Sequence, residues 1–375
     1  MKITFVLANW VSLKGGVRSN AMLAYHLQKR GHEVFVVSPS KPKPTFRRQA
    51  GSLLKGQGWV STKMKGPSHF DGLDIPRQIL DHGPPVTDAD VPDADIVVAS
   101  WWEAAEWVAN LSDKKGAKAY LIRHHEVHDY LPKERSQATY SLPMHKITIS
   151  KWLVDLMRTQ YGDSNVSLVP NSADSQKYYA PPRGKQHIPT VGMMYATTYW
   201  KGCDVSLKAF SLAAQKIPNL RLVAFGTKEP SPDLPLPSGT QFFHKPAQHT
   251  IKDIYASCDV WLCGSWSEGF HRPPLEAMAC RCPVVSTEVG GPIDRIENGV
   301  NGYLVPVGDS TALAKYLVEV LSLPDAEWQA MSNAAYTTAT SYSWDDAAEL
   351  CEAAFYTAIE RTKRGDFSSQ MNRRL

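Results

Sequence analysis

Long apolar runs are missing from this sequence, since none approaches the roughly 18 residues that a helix needs to cross a bilayer. The first ten residues, MKITFVLANW, hold one lysine and a short apolar run but no small-residue cleavage site, which predicts that no secretory signal is present. Hydrophobic residues make up 43% and charged residues 21% of the chain, proportions typical of a globular protein. Together these features predict a cytoplasmic location.

Cysteine is scarce, and its spacing does not suit a metal site. The six cysteines lie mostly inside apolar runs, and none belongs to a Cys-x-x-Cys motif. This pattern predicts buried, reduced thiols. Cys280 and Cys282 are separated by one residue, but neither a second cysteine pair nor a histidine cluster completes a zinc shell with them. The sequence therefore predicts no metal.

Acidic residues are absent from one stretch of the chain, residues 34–70. The same stretch carries seven basic residues: Lys41, Lys43, Arg47, Arg48, Lys55, Lys63 and Lys65. Two interpretations remain open. The stretch is either a solvated basic loop, or residues 41–65 form a patch that meets an anionic partner, such as the inner face of a membrane or a phosphate-bearing acceptor. Nucleic acid is not predicted as a partner, because no recognition module accompanies the patch.

Strands and helices alternate along both halves of the chain. Apolar runs such as KITFVLA, HEVFVVS and ADIVVAS predict buried strands in the first half, and helical patterns separate them. Residues 171–186 are rich in Pro, Ser, Gly and Asn, which is typical of a linker. A second alternating series follows. The sequence thus predicts an α/β fold with two Rossmann-like, doubly wound domains, over residues 1–170 and 187–344.

Two glutamates, Glu268 and Glu276, stand eight positions apart in SEGFHRPPLEAMACRCPVVS. Glu268 follows the predicted strand DVWLCGS, at the edge where parallel sheets bind ligands. Pro274 suits the first position of a helix, which places Glu276 in the first turn and leaves the free N–H groups as an anion site. Because carboxylates accept hydrogen bonds from vicinal hydroxyls, the spacing fits a nucleotide-sugar. Ordinary helix stabilisation by Glu276 and a solvated Glu268 are the alternatives.

These segments, and others in the same order, resemble the family 4 glycosyltransferases of the GT-B fold. The region from SWSEGFHRPPLEAMACRCPVVSTEVGG to NGVNGYLVPVGD resembles the E-x7-E region of that family. The other matching segments are GGV (15–17) for the glycine loop, VPNSAD (169–174) for the domain-linking motif, WKGCDVSLKAF (200–210) for the KG segment and YSWDDAAELCEAAF for the closing helix.

The resemblance implies a fold and an activity. The two domains are expected to face each other across a cleft, with a C-terminal helix over about residues 345–375 that crosses back to the first domain. The expected activity is that of a retaining hexosyltransferase with a UDP-, GDP- or dTDP-sugar donor and no required cofactor or metal. A glycan, a glycolipid or a small glycoside is the expected acceptor, as in polysaccharide biosynthesis.

The resemblance also implies roles for individual residues. Glu268 is expected at the donor hexose, Glu276 at the ribose and Lys201 at the diphosphate, where its charge stabilises the leaving group. In LIRHHEVHDY, the histidine near the transferred sugar is expected to be His125, with His124 as the alternative. The other predicted donor-binding residues are Gly15, Gly16, Gly269, Phe270, His271, Arg272 and Leu275, and the further candidates are Arg18, Met193, His244 and Lys245.

The sequence departs from the family pattern at three of these positions. Family members usually carry an arginine where this chain has Met193, and a glycine where it has His271. Arg272 stands where a small or apolar residue is more usual. We expect Arg272, or else Arg18, to supply the phosphate contact that is lost at Met193. His271 is expected to reshape the hexose pocket.

Two other functions remain as alternatives. An NAD-linked oxidoreductase is disfavoured, because the loop ANWVSLKGGVRS lacks the G-x-G-x-x-G pattern and no acidic residue closes the strand in EVFVVSPS. A non-catalytic sugar-binding or nucleotide-binding protein of the same fold is supported only by the departure at Met193.

Overall fold

A computed structural model describes residues 1–42, 44–62, 64 and 66–367. Lys43, Lys63 and Lys65 of the basic stretch and residues 368–375 of the expected C-terminal helix therefore lie outside the described residues. Among the described residues, none of the helices combines the length and the apolar character that crossing a bilayer requires.

The chain divides into two compact units. The first unit consists of Met1–Ile149, Leu153–Val169 and the chain from Ala347 onward, and the second consists of Ser150–Trp152 and Pro170–Asp346. The C-terminal helix is present, and all but its first residues are grouped with the first unit.

The first unit contains a seven-stranded parallel sheet in the order β3-β2-β1-β4-β5-β6-β7. The central strand β1 is buried from Ile3 to Leu7, and Phe5 pairs with Val36 on one side and Val98 on the other. Such continuous apolar strands are typical of a parallel sheet that is covered on both faces. The strands are β1 (Lys2–Leu7), β2 (Glu33–Ser38), β3 (Arg77–Ile79), β4 (Ile96–Ser100), β5 (Ala117–Ile122), β6 (His145–Thr148) and β7 (Ser167–Leu168).

Helices connect these parallel strands, as crossover connections require. They are α1 (Gly15–Lys29), α2 (Phe46–Leu54), α3 (Trp102–Ala109), α4 (Lys133–Thr139) and α5 (Lys151–Tyr161), and α11 (Trp344–Lys363) is the C-terminal helix. Helix α2 and strand β3 lie in the stretch from Lys41 to Asp90, where no element was predicted. The interpretation of the basic stretch as a loop is therefore wrong for Phe46–Leu54.

The second unit contains a six-stranded parallel sheet in the order β10-β9-β8-β11-β12-β13. Its strands are β8 (Thr190–Tyr195), β9 (Arg221–Gly226), β10 (Gln241–His244), β11 (Val260–Cys263), β12 (Val284–Thr287) and β13 (Gly302–Val305). Its helices are α6 (Cys203–Ala214), α7 (Ile251–Ala256), α8 (Arg272–Ala279), α9 (Ser310–Ser322) and α10 (Asp325–Thr340). The Asp309 side chain caps the N-terminus of α9, because it accepts a hydrogen bond from the Ala312 N–H.

All six cysteines are buried free thiols, as predicted from their apolar surroundings. Burial raises the pKa of Cys280 and of Cys282 well above the usual range of a thiol. A thiol that resists ionisation is a poor metal ligand, because the thiolate is the form that binds metals. The pair therefore belongs to the core of the second unit.

Candidate active site

The strand order of the second sheet places the ends of β8 and β11 at a point where the order changes direction. From β8 the sheet continues through β9 to β10 on one side, and through β11 and β12 to β13 on the other. Such a switch point leaves a crevice at the carboxyl edge of the sheet, where ligands bind. Lys201 follows β8 and Glu268 follows β11, so the topology brings both residues to this crevice.

Close backbone packing fixes Lys201 beside the loop that follows β11. Gly202 has a φ of +55°, and a Cβ at this position would lie 1.8 Å from the carbonyl oxygen of Gly264. On the same loop, the N–H of Trp266 donates to the carbonyl of Trp200 at 2.9 Å. Only glycine at position 202 permits this approach, so the KG pair places the lysine as well as supplying it.

Glu268 is buried and fully partnered. The Lys201 Nζ lies 2.8 Å and 2.9 Å from its two carboxylate oxygens, and the Ser265 hydroxyl donates to it at 3.0 Å. Burial opposes ionisation of this carboxyl, but the nearby His271 ring, the Lys201 ammonium group and these hydrogen bonds outweigh burial and lower its pKa. Because burial also lowers the pKa of His271 to about 4, the imidazole is neutral at pH 7. Lys201 is therefore the cation that keeps Glu268 ionised.

His271 is held in a costly conformation next to Glu268. Its φ is +62°, a left-handed value that costs a non-glycine residue about 1–2 kcal/mol. The ring is buried, with Nε2 3.6 Å from Glu268 Oε1 and with Nδ1 unpartnered among the described residues. A buried polar atom without a partner adds a further cost. Strain of this kind clusters at functional sites, which makes His271 a notable replacement for the usual glycine.

The backbone between the two glutamates is tied down by residues that sequence reasoning missed. The Gly269 carbonyl accepts hydrogen bonds from the Ser150 hydroxyl and the Trp152 indole N–H, both at 2.9 Å. Phe270 and Leu275, two of the predicted donor-binding residues, are both buried. The one sequence signal for Ser150 and Trp152 is their position just after the apolar run KITI.

Helix α8 begins at Arg272, two residues before the predicted start. Pro273 and Pro274 occupy its second and third positions, where a missing N–H leaves no hydrogen bond unmade, so they allow the earlier start. Glu276 is consequently the fifth helical residue, and its predicted place in the first turn is wrong. The first turn contains no acidic residue, so Glu276 is not an ordinary first-turn acid.

Glu276 is buried between two partners. The Arg272 Nη2 donates to Glu276 Oε1 at 2.7 Å, and the Tyr255 hydroxyl donates to Oε2 at 3.1 Å. Tyr255 lies on α7, and sequence reasoning did not select it. The structure thus pairs each of the two glutamates with a cation, Glu268 with Lys201 and Glu276 with Arg272.

Three further candidates in the second unit lie apart from these pairs. Met193 is buried in the hydrophobic core of the unit, where its side chain packs among apolar neighbours. His244 is the last residue of the edge strand β10, and its Nδ1 lies 2.6 Å from a carboxylate oxygen of Glu229. Lys245 is exposed with a φ of +47°, and its N–H donates to the carbonyl of Gly226.

In the first unit, the glycine loop opens α1 after β1. Gly15 is the first helical residue, and a Cβ at Gly16 would lie 3.7 Å from Cδ of Arg123. Arg18 is buried on the same helix. The loop is therefore close to Arg123, which follows β5 at the start of the loop that contains the predicted histidines.

The histidines follow β5 at the carboxyl edge of the first sheet. His125 is half-buried, with its Nε2 2.6 Å from the Tyr161 hydroxyl. Burial and the neighbouring His124 and His128 lower its pKa to about 4, so the ring is neutral at pH 7. The His124 Nδ1 lies 2.9 Å from the carbonyl oxygen of His125. Both rings have fixed partners, as a positioned catalytic imidazole requires.

Two family models match successive parts of the chain. The model described as "Glycosyltransferase Family 4" matches residues 13–177, and the model described as "Glycosyl transferases group 1" matches residues 180–338. Relatives include the D-inositol 3-phosphate glycosyltransferase of Mycobacterium avium, which is 30% identical over 171 residues, or 42% of this chain and 39% of that enzyme. The protein of the same name from Kribbella flavida is 33% identical over 121 residues, or 32% of this chain and 28% of that enzyme. The alignments thus span well under half the length of these relatives.

Solved structures resemble the whole chain. Sucrose-phosphate synthase from Thermosynechococcus elongatus superposes with a TM-score of 0.72 at 14% identity, covering 96% of this chain and 99% of that one. Anabaena HepE in complex with UDP-glucose gives a TM-score of 0.67 at 19% identity, covering 95% and 99%. At these identities the likeness concerns the fold, and it confirms the predicted GT-B class.

Proposed function

Because the chain belongs to the family 4 glycosyltransferases and has their GT-B fold, we propose that it is a retaining hexosyltransferase with a nucleotide-sugar donor. One observation carries this proposal: the Lys201–Glu268 pair lies at the switch point of the second sheet, and the Arg272–Glu276 pair follows it on α8. A parallel sheet binds its ligands at that edge.

The composition of the two pairs suits a nucleotide-sugar. A carboxylate offers only acceptors, which match the hydroxyls of a hexose or a ribose. A lysine or an arginine offers donors and positive charge, which match a diphosphate. We assign Glu268 to the hexose, Glu276 to the ribose, and Lys201 with Arg272 to the diphosphate.

The two pairs favour a ligand that carries both phosphates and hydroxyls. Each cation is already neutralised by a buried acid, so an anion that draws Lys201 or Arg272 away leaves a buried carboxylate without its charge partner. Hydroxyls that bind the same carboxylate offset this cost. A nucleoside diphosphate with its sugar attached supplies the phosphates and the hydroxyls together.

The residues divide the chemistry of transfer as follows. Lys201 stabilises the negative charge that develops on the leaving diphosphate. Glu268 orients the hexose through its hydroxyls, and the neutral His125 contacts the transferred sugar. The bond between the anomeric carbon and the diphosphate breaks, and the acceptor hydroxyl attacks on the same face of the sugar while the leaving phosphate oxygen takes up its proton, so the anomeric configuration is retained.

The comparisons suggest which substrates to examine first. HepE was solved with UDP-glucose, so a UDP-sugar is the first donor, followed by GDP- and dTDP-sugars. The sequence relatives are D-inositol 3-phosphate glycosyltransferases. Inositol phosphates are therefore added to the glycans, glycolipids and small glycosides that should be tested as acceptors.

A thermal-shift panel tests donor recognition. UDP-, GDP- and dTDP-sugars are compared with NAD and NADP at equal concentration, and we expect at least one nucleotide-sugar to raise Tm by several degrees. Stabilisation by NAD or NADP alone would support the oxidoreductase instead. Nucleotide-sugar binding without turnover on any acceptor would favour a non-catalytic binding protein.

We also infer a peripheral membrane contact through α2, which presents its apolar residues outward. Phe46 and Leu54 on α2 are each 88% exposed, and Trp59 beyond it is 75% exposed. Gln49 of the same helix is buried instead, with both side-chain amide atoms unpartnered among the described residues. Arg47, Arg48 and Lys55 are exposed beside the apolar residues. Apolar side chains flanked by cations suit an anionic lipid surface.

Vesicle sedimentation tests this contact. We expect the protein to sediment with vesicles that contain anionic lipid more than with neutral vesicles, and a Phe46→Ser, Leu54→Ser variant to lose most of this binding. Ile188→Ser, which alters an exposed apolar residue of the second unit, serves as the control. Equal binding by the unaltered protein, the double variant and the control would show that α2 does not make the contact.

A further inference from the structure

The loop after β5 brings together three side chains of the kinds that bind metal ions. His124, Glu126 and His128 each place one potential ligand atom within 4.8 Å of the other two. In the described part of the chain this is the one such group of three or more histidine, cysteine, aspartate or glutamate side chains. The predicted active-site residue His125 lies in the same loop but is not a member of the group.

Glu126 is buried, and none of the residues that the structure describes pairs with its carboxylate. The residue is 9% exposed, and its backbone is anchored on both sides, with the N–H donating to the Tyr140 hydroxyl and the carbonyl accepting from the Ser136 hydroxyl. Within the described residues, its carboxylate oxygens have neither a hydrogen bond nor an ion pair. An ionised carboxylate in such surroundings is costly unless a cation neutralises it.

The two histidine rings are oriented in a way that suits metal binding. Nδ1 of His124 donates to the carbonyl of His125 at 2.9 Å, which leaves the lone pair on Nε2. Metal-binding histidines commonly have their second nitrogen fixed by a carbonyl in this way. The His128 ring stacks on Tyr130 at an interplanar angle of 7° and lies 4.9 Å from the His124 ring.

We propose that His124, Glu126 and His128 bind a divalent transition-metal ion, and that Zn²⁺ fits this set of two nitrogens and one oxygen best. The fourth position of a tetrahedral ion is then open to water or to a hydroxyl-bearing ligand. With bonds of about 2.0–2.1 Å, the ligand atoms would draw together by roughly an ångström on binding. The bound ion holds the loop that carries His125, and it takes no part in the proposed sugar transfer.

Cobalt(II) provides a spectroscopic test on the full chain after treatment with a chelator. We expect one equivalent of Co²⁺ to give absorption bands between about 500 and 650 nm with the intensity of a four-coordinate ion, and Zn²⁺ to displace it. Glu126→Gln, which removes the charge and keeps the shape, should weaken binding at least tenfold. Glu134→Gln, at an exposed position on α4, is the matched control and should bind as the unaltered protein does.

A second variant covers the case in which Glu126→Gln does not fold. His128→Asn should also weaken Co²⁺ binding at least tenfold, whereas His249→Asn, at an exposed position in the second unit, should not. Zn²⁺ should raise Tm in the unaltered protein and in both controls, but not in the two site variants. The absence of one-equivalent binding, or equal binding by site and control variants, would overturn the proposal whether or not the protein transfers sugar.

Discussion

Two loops of the molecule each contain a buried glutamate just beyond a parallel strand, but the two glutamates differ in charge state. In the second unit Glu268 meets Lys201 and Ser265, and its pKa is lowered. In the first unit the carboxylate of Glu126 has no such partner among the described residues, and burial raises the pKa of its carboxyl to about 7. Burial is similar in the two cases, so the partners decide the charge state. The second unit pairs its buried carboxylate with a cation, whereas in the first unit burial leaves the carboxyl of Glu126 partly protonated at pH 7.

The largest expected effect comes from removing the partnered carboxylate. We expect Glu268→Gln to lower kcat by about 100- to 1000-fold, because the hexose loses a charged contact in the transition state. Binding of the nucleoside diphosphate, measured by calorimetry, should change little. Glu276→Gln serves as the comparison and should mainly weaken nucleotide binding. Equal losses of turnover and of nucleotide binding in both variants would contradict the separate roles of Glu268 and Glu276.

Removing Lys201 should make Glu268 resemble Glu126. We expect Lys201→Met to lower the free energy of unfolding at pH 7 by about 3 kcal/mol, because it leaves a buried carboxylate without its cation. In the unaltered protein the lowered pKa of Glu268 stabilises the fold above about pH 4.5, and this contribution is lost as the pH falls further. In the variant the pKa of the Glu268 carboxyl is expected to be raised, so the free energy of unfolding of the variant should increase as the pH falls.

Denaturant melts of both proteins at pH 7 and pH 5 measure this effect. The stability difference between them should narrow at the lower pH, because the unpaired carboxyl takes up a proton there. A difference that is the same at both pH values would contradict the assigned role of the Lys201 charge.

Arg272 tests the second pair on a smaller scale. We expect Arg272→Ala to weaken binding of the nucleoside diphosphate about tenfold, or about 1.4 kcal/mol, through loss of a charged contact to phosphate. Calorimetry with Lys201→Ala as the reference makes the measurement. If Arg272→Ala bound as tightly as the unaltered protein while Lys201→Ala bound at least tenfold more weakly, Arg272 would have no part in holding the phosphates.

The smallest effect is expected at His271. Replacement by glycine relieves the positive φ and the unpartnered nitrogen but loses a buried ring, so we expect the free energy of unfolding to change by less than about 1 kcal/mol. Phe270→Ala, which truncates the neighbouring buried ring at an ordinary backbone position, should cost about 3–5 kcal/mol. Thermal melts compare the two variants. A similar loss of stability in both would show that the strain at His271 is negligible.

The sequence was sufficient for the architecture but not for the pairing of charges. Alternating apolar runs predicted the strands of both sheets except β3, and the position of Glu268 after DVWLCGS followed directly. The contact between Lys201 and Glu268 spans 67 positions and depends on β8 lying next to β11, which periodicity does not determine. Tyr255 and Ser265 were missed for the same reason. The roles given to all these residues stay predictions.

Local sequence patterns also failed to predict where one helix begins and which residues of another are exposed. The start of α8 was placed late, because prolines at its second and third positions are as acceptable as one at the first. In α2 the burial of Gln49 and the exposure of Phe46 reverse what side-chain polarity predicts. Such a reversal emerges only when the packing of the whole unit is known.

Sugar transfer itself is the most direct test. The protein is incubated with a UDP-, GDP- or dTDP-sugar and a panel of acceptors that includes inositol phosphates, and NMR follows the product. We predict release of the nucleoside diphosphate together with a new glycoside whose anomeric configuration matches that of the donor, and loss of both in Glu268→Gln. An inverted product would contradict the retaining mechanism, and turnover unchanged in Glu268→Gln would contradict the site.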